Sequence, residues 1–168
     1  DWSSDVCSSD LEKKYEKVYI LDSLNRVLSE DIYSLDNLPP FDKSAMDGYA
    51  IRSLDTQNKE NIILEIKSLI KAGDFCEEPL KENEAYKIMT GAMLPSGADA
   101  VIQIERVKTE SNNLYICEEV KKGNNIIKLG EEILKGDIAL SKGTLIRPPE
   151  IGLLEIGRAS CRERVYGE

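Results

Sequence analysis

Three short stretches of this chain bring oxygen ligands together with small residues. Together they suit a phosphorylated ligand handled with a hard cation. The first is residues 38–51, LPPFDKSAMDGYAI, where Asp42 and Asp47 sit among Phe41, Met46 and Tyr49. Ser44, Ala45 and Gly48 are small enough for a backbone or a ligand to approach closely. Pro39 and Pro40 fix the backbone and withhold two amide donors. Such a stretch is either a ligand surface displayed from apolar anchors or a proline-anchored turn whose aspartates cap backbone amides. The second stretch is 89–99, MTGAMLPSGAD. The Thr90 hydroxyl and nearby amides suit an oxyanion there, and Gly91 permits close approach. The third holds Lys128 and then Gly130, Glu131 and Glu132, paired carboxylates that bind magnesium or are simply solvated.

Much other chemistry is excluded. The chain has no histidine, so Ser-His-Asp, Cys-His and histidine-ligated zinc sites are out. No Gly-x-Gly-x-x-Gly turn and no Walker-type phosphate loop occurs. The net charge of −9 leaves no basic stripe for nucleic acid. The longest apolar runs are a few residues, well short of a membrane span.

Both ends read as foreign. Residues 1–11, DWSSDVCSSDL, and 156–165, IGRASCRERV, look like translations of the two opposing adapters used in short-read sequencing. Residues 1–11 and 156–168 are therefore set aside as adapter-derived, leaving about 143 residues, enough for one domain or two small lobes. The excluded ends carry three basic and five acidic residues, so the remainder keeps a net charge of −7. Of four cysteines, Cys76 and Cys117 remain, far apart in the chain. They match neither a disulfide scaffold nor a zinc site and read as reduced cysteines of a cytoplasmic protein.

The elements that must position the three stretches are mostly strands. Alternation predicts strands near 17–21, 31–34, 61–71, 85–89, 100–107 and 113–120, the last two forming a hairpin around Ser111 and Asn112. Leu24, Val27 and Leu28 at helical spacing behind Asp22 predict a short helix over 22–28. Pro148, Pro149 and Glu150 open another helix. The fold class is α+β and strand-rich. A mixed elongated lobe, 12–42 and 139–155, carries an inserted small β-barrel-like lobe, 43–138.

Residues 40–52, PFDKSAMDGYAIR, closely resemble the signature of molybdopterin molybdotransferases, a family that includes the C-terminal domain of gephyrin. Residues 88–105, IMTGAMLPSGADAVIQIE, match a second family signature. Residues 123–126, GNNI, with 130–133, GEEI, resemble a third. Order and spacing agree across essentially all of 12–154. The resemblance implies an N-terminal region of a cytoplasmic transferase of molybdenum cofactor biosynthesis. Its members insert molybdenum from molybdate, the substrate, into adenylylated molybdopterin and release AMP in a magnesium-dependent step.

It also implies catalytic roles for Asp47, Thr90 and Glu132. Asp47 and Glu132 would hold the metal, and Ser44, Met46, Gly48, Gly91 and Lys128 would bind substrate. Implied partners are adenylylated molybdopterin, a second copy in a homodimer, and the molybdopterin adenylyltransferase, with no nucleic acid and no membrane. The family's pterin-binding domain is absent, so the site is expected to be completed in trans and the chain to be inactive alone. Two departures stand out: Ile127 occupies the place of an arginine, and Glu132 that of an aspartate. A non-catalytic dimerisation or scaffold module and a stand-alone anion-binding β domain are the alternatives.

Overall fold

The computed structural model describes residues 15–58, 61–156 and 162–166. The chain opens with strands β1 (Tyr15–Tyr19), β2 (Val27–Leu28) and β3 (Ile32–Tyr33). It continues through β4 (Lys43–Ser44), β5 (Gly48–Ile51), β6 (Ile62–Ile70), β7 (Glu84–Ile88), β8 (Ala100–Gln103), β9 (Lys108–Glu110), β10 (Asn113–Ile116) and β11 (Ile126–Ile127). It closes with β12 (Ile138–Leu140), helix α1 (Pro148–Ile156) and β13 (Arg162–Tyr166). The strand-rich α+β class is as expected, with one α-helix among the described residues.

Two compact units emerge: Asn37–Leu134, and the described parts of Asp1–Asp36 with Lys135–Glu168. In Asn37–Leu134 six strands form one sheet in the order β8-β5-β7-β6-β10-β9. β6 and β7 run parallel and the other pairs antiparallel. The outer strands β8 and β9 do not pair with each other, so the sheet is a half-barrel rather than a closed ring. β5 lies inside it with all four residues buried, and its side chains alternate between two cores. Tyr49 and Ile51 join Ile62, Leu64, Ile102, Leu114 and Ile116. Ala50 joins Ile70, Tyr86, Ile88 and Val101 on the other side.

The strand expected over 100–107 ends at Gln103, and the hairpin is β9–β10 rather than a pairing of that run with 113–120. The Ile104 amide donates to the Asp47 carbonyl at 3.1 Å, and Ile104–Arg106 then turns as a 3-10 helix. β8 pairs with β5 instead. Ser111, at φ 52°, makes the tight turn between β9 and β10.

In the other unit β12 pairs with β3, and β13 lies between β1 and β2. Leu28, Leu140, Ile146 and Leu154 form its core. The helix expected over 22–28 is replaced by a 3-10 turn at Ile20–Ser23 followed by β2. Asn25 takes φ 64°, a left-handed conformation that no helix continues through. α1 starts as expected at Pro148, and Glu150 accepts from the Arg147 amide at 3.0 Å and pairs with its guanidinium at 2.7 Å, closing the first turn. Residues 162–166, set aside above as adapter-derived, pair as β13. Their Arg-Glu-Arg-Val-Tyr alternation has strand periodicity whatever its origin. Residues 1–11 lie outside the described residues.

Candidate functional site

The half-barrel delivers Asp47 directly. Asp47 is exposed at the end of the loop where β5 begins. Gly48, next in the chain, is buried against β8, and a Cβ there would lie 2.0 Å from the Ile102 carbonyl oxygen. Only glycine lets the two strands come that close, so sheet packing accounts for Gly48, which the resemblance placed at the substrate.

Asp47 and Thr90 meet. Asp47 Oδ1 accepts from the Thr90 amide at 2.7 Å and from the Thr90 hydroxyl at 2.9 Å. These two donors, the amide first, hold the Asp47 carboxyl below the usual carboxylate range. The Thr90 hydroxyl proton is committed to Asp47, so Oγ1 presents acceptor lone pairs outward. Among the described residues no hydrogen-bond donor meets Asp47 Oδ2.

The first loop runs between the other two. On one side Ser44 exchanges backbone bonds with the second loop, from Gly91 at 2.8 Å and to Ala92 at 3.0 Å, and the Leu94 amide donates to the Asp42 carbonyl at 2.9 Å. On the other side β11 pairs with β4. There the Ala45 amide donates to Asn125 at 3.0 Å, the Gly130 amide to Pro39 at 2.9 Å, and the Glu132 amide to Leu38 at 3.0 Å. The three stretches named from sequence therefore share one hydrogen-bonded cluster.

Their side chains are not all brought together. Glu132 is exposed, and among the described residues its carboxylate bonds to none, Asp47 included. Among the described residues no three histidine, cysteine, aspartate or glutamate side chains group to hold a metal. The buried Ser44 hydroxyl donates to the Met46 carbonyl at 2.6 Å, shaping the turn. Met46 is exposed. Gly91 turns at φ 79° with open space where a Cβ would be. Lys128 donates to Asp42 at 2.8 Å, and Glu131 accepts from the Lys128 amide at 2.7 Å, capping the turn rather than pairing with Glu132.

Sequence reasoning named Asp42 without its partners and gave Asn124 and Asn125 no role. Asp42 binds Lys128 Nζ through Oδ2 and the Leu129 amide through Oδ1, both at 2.8 Å. Lys128 and then Leu129 hold its carboxyl below the usual range. Asn124 and Asn125 donate side-chain amides to the Val101 carbonyl at 3.2 and 2.9 Å, covering the outer edge of β8. The left-handed preference of asparagine was the available signal for Asn125, at φ 52°. For Asp42 no periodicity could point to partners 86 and 87 residues away.

This arrangement has counterparts. The MoeA N-terminal region (domain I and II) matches residues 4–156 of the chain. The chain belongs to this family. It is 40% identical over 135 residues to the molybdopterin molybdenumtransferase of Staphylococcus aureus, an overlap of 79% of this chain and 32% of that protein. To the protein of the same name from Staphylococcus epidermidis it is 38% identical over 152 residues, 89% of this chain and 36% of the relative. The crystal structure of the molybdopterin biosynthesis moeA protein from Pyrococcus horikoshii OT3 superposes with a TM-score of 0.86 at 37% identity. That match covers 91% of this chain and 41% of the archaeal one. The chain thus spans about a third of the length of the curated relatives it matches.

In this MoeA-family chain the two cysteines described, Cys76 and Cys117, are free. No helix among the described residues is long and apolar enough to cross a membrane. Ile127, in β11, stands opposite Lys43 of β4. Lys43 is half-buried and its ammonium has no carboxylate partner among the described residues, whereas Lys128 is committed to Asp42.

Proposed function

We propose that this chain is the N-terminal share of a molybdopterin molybdotransferase, which moves molybdenum from molybdate to adenylylated molybdopterin with release of AMP. The observation that carries this reading is the Asp47–Thr90 pair, set in the loop cluster of a MoeA-family half-barrel. Substrate and molybdate are both anionic, so an approaching ligand needs cationic help against the carboxylates. Magnesium would supply it by screening phosphate charge. The donor set fits a shared ion rather than a protein cage: Asp47 Oδ2 has no partner among the described residues, and magnesium is commonly held by one or two carboxylates plus substrate phosphates. Glu132, on the neighbouring loop, is the second carboxylate. Thr90 keeps Asp47 ionised and oriented, and its Oγ1 accepts a hydrogen bond from the ligand. Lys43 supplies the positive charge that Ile127 lacks.

Asp47, Thr90 and Glu132 are all exposed, an open half-site that suits closure by the pterin-binding portion of a second copy. On this reading the chain works in the cytoplasm as part of a homodimer and turns over nothing alone. The molybdopterin adenylyltransferase, which makes the adenylylated substrate, is the natural neighbour.

The test mixes this chain with the Staphylococcus aureus relative inactivated by an alanine at the position equivalent to Asp47. Adenylylated molybdopterin, magnesium and molybdate are then added. Molybdate-dependent AMP release should appear in the mixture and in neither component. Its absence from the mixture, or its persistence when the chain carries Asp47→Asn, contradicts the assignment. Anion binding by the chain with no release in the mixture would favour a stand-alone anion-binding domain, and dimerisation with neither would favour a scaffold.

A further inference from the structure

Among the side chains that the proposed chemistry leaves unused, Asp42 spans the loop cluster. Its carbonyl accepts from the Leu94 amide of the second loop at 2.9 Å. Its two carboxylate oxygens face the opposite way, onto the third loop, one taking the Leu129 amide and the other the Lys128 ammonium. A single residue five positions before Asp47 thus ties down the loop carrying Thr90 and the loop carrying Glu132.

An exposed lysine–carboxylate pair alone contributes little to stability, and Lys128 and Asp42 are both partly exposed. The geometry here is more constraining than a simple ion pair. The second oxygen is fixed by a backbone amide, and a charge-assisted bond to a main-chain donor sets the direction of the loop as well as its distance. The next backbone bonds, Gly130 to Pro39 and Glu132 to Leu38, continue the same seam toward Glu132.

We infer that Asp42 is a positioning residue, whose carbonyl and carboxylate together set the Thr90 and Glu132 loops around Asp47 so that all three meet one polyanionic ligand. This rests on the molybdotransferase reading above. It adds that Lys128 acts on the ligand indirectly, as the counter-ion that seats Asp42, rather than by contacting the substrate.

The experiment has two arms. The first follows amide hydrogen exchange of the 168-residue chain as wild type, Asp42→Ala, Asp42→Asn and Lys128→Met. Asn keeps the acceptor for Leu129 and loses the ion pair, and Lys128→Met is an exposed change that leaves the fold intact. Exchange at Leu129, Gly130 and Glu132 should rise in the order wild type, then Lys128→Met with Asp42→Asn, then Asp42→Ala, while Tyr49 and Ala50 in β5 stay protected. The second arm measures molybdate-dependent AMP release in the mixture with the relative. KM for adenylylated molybdopterin should rise roughly 10- to 100-fold in Asp42→Ala, the usual cost of losing a residue that orients binding groups, with kcat changed less and partial rescue by Asn. Unchanged exchange at 129–132 in all variants overturns the inference, and so does loosened exchange with an unchanged KM. If the wild-type mixture releases no AMP, the molybdotransferase reading fails, and the exchange arm alone then decides whether Asp42 holds the third loop.

Discussion

Thr90 places two donors on one oxygen of Asp47, and this makes the pair separable by mutation. Thr90→Ala removes the hydroxyl and keeps the amide, which is the larger cause of the lowered Asp47 value. The Asp47 carboxyl should therefore move part of the way back toward its usual value, as read by carboxyl-carbon NMR titration; a full return would mean that the amide contributes nothing. Gly48→Ala tests the neighbouring constraint. Its methyl would overlap the Ile102 carbonyl, so urea unfolding should show a loss of about 3 kcal/mol or more. At this scale the types of the site residues were legible in the sequence and their pairings were not. Asp47 and Thr90 stand out by composition, yet the bond between them spans 43 positions, and no local pattern encodes it. Gly48 was legible as a place of close approach, but the approaching group is a strand carbonyl.

The elements carry a different balance. Strands with one wet face, such as β6 with buried Leu64 and exposed Glu65 and Lys67, alternate visibly and were legible. β8 is buried on both faces at Val101 and Ile102, so its apolar run does not reveal where it stops or which neighbour it takes. The 3-10 turn at Ile104–Arg106 ends it, and the neighbour is β5. The short helix expected over 22–28 failed for a similar reason, since one left-handed Asn25 outweighs three well-spaced apolar residues. The outer edge of β8 offers a prediction at this scale. Asn125→Ala removes a 2.9 Å bond to Val101 and puts alanine where φ is 52°. It should cost about 1–2 kcal/mol in chemical denaturation and speed amide exchange at Val101. An unchanged denaturation midpoint would show that Asn124 alone protects the edge.

Across the described residues of the molecule, four carboxylates sit below their ordinary values: Asp42, Asp47, Glu84 and Glu150. Each favours the folded state when ionised, so its contribution is complete above the usual values of 3.8 for Asp and 4.5 for Glu. It is lost as pH falls through the lower native value. The urea midpoint should hold steady from about pH 7 down to the usual carboxylate range and decline below it; a midpoint that improved on acidification would contradict the sign. Tethering the site to β5 has a further result. Side chains of a strand point alternately to its two sides, so one residue inserted between Met46 and Gly48 would turn Tyr49 and Ile51 toward the core that now holds Ala50. The stretch bearing Asp47 can exchange one amino acid for another, but its length is locked, and lineages that retain this architecture should vary it by replacement and never by insertion or deletion.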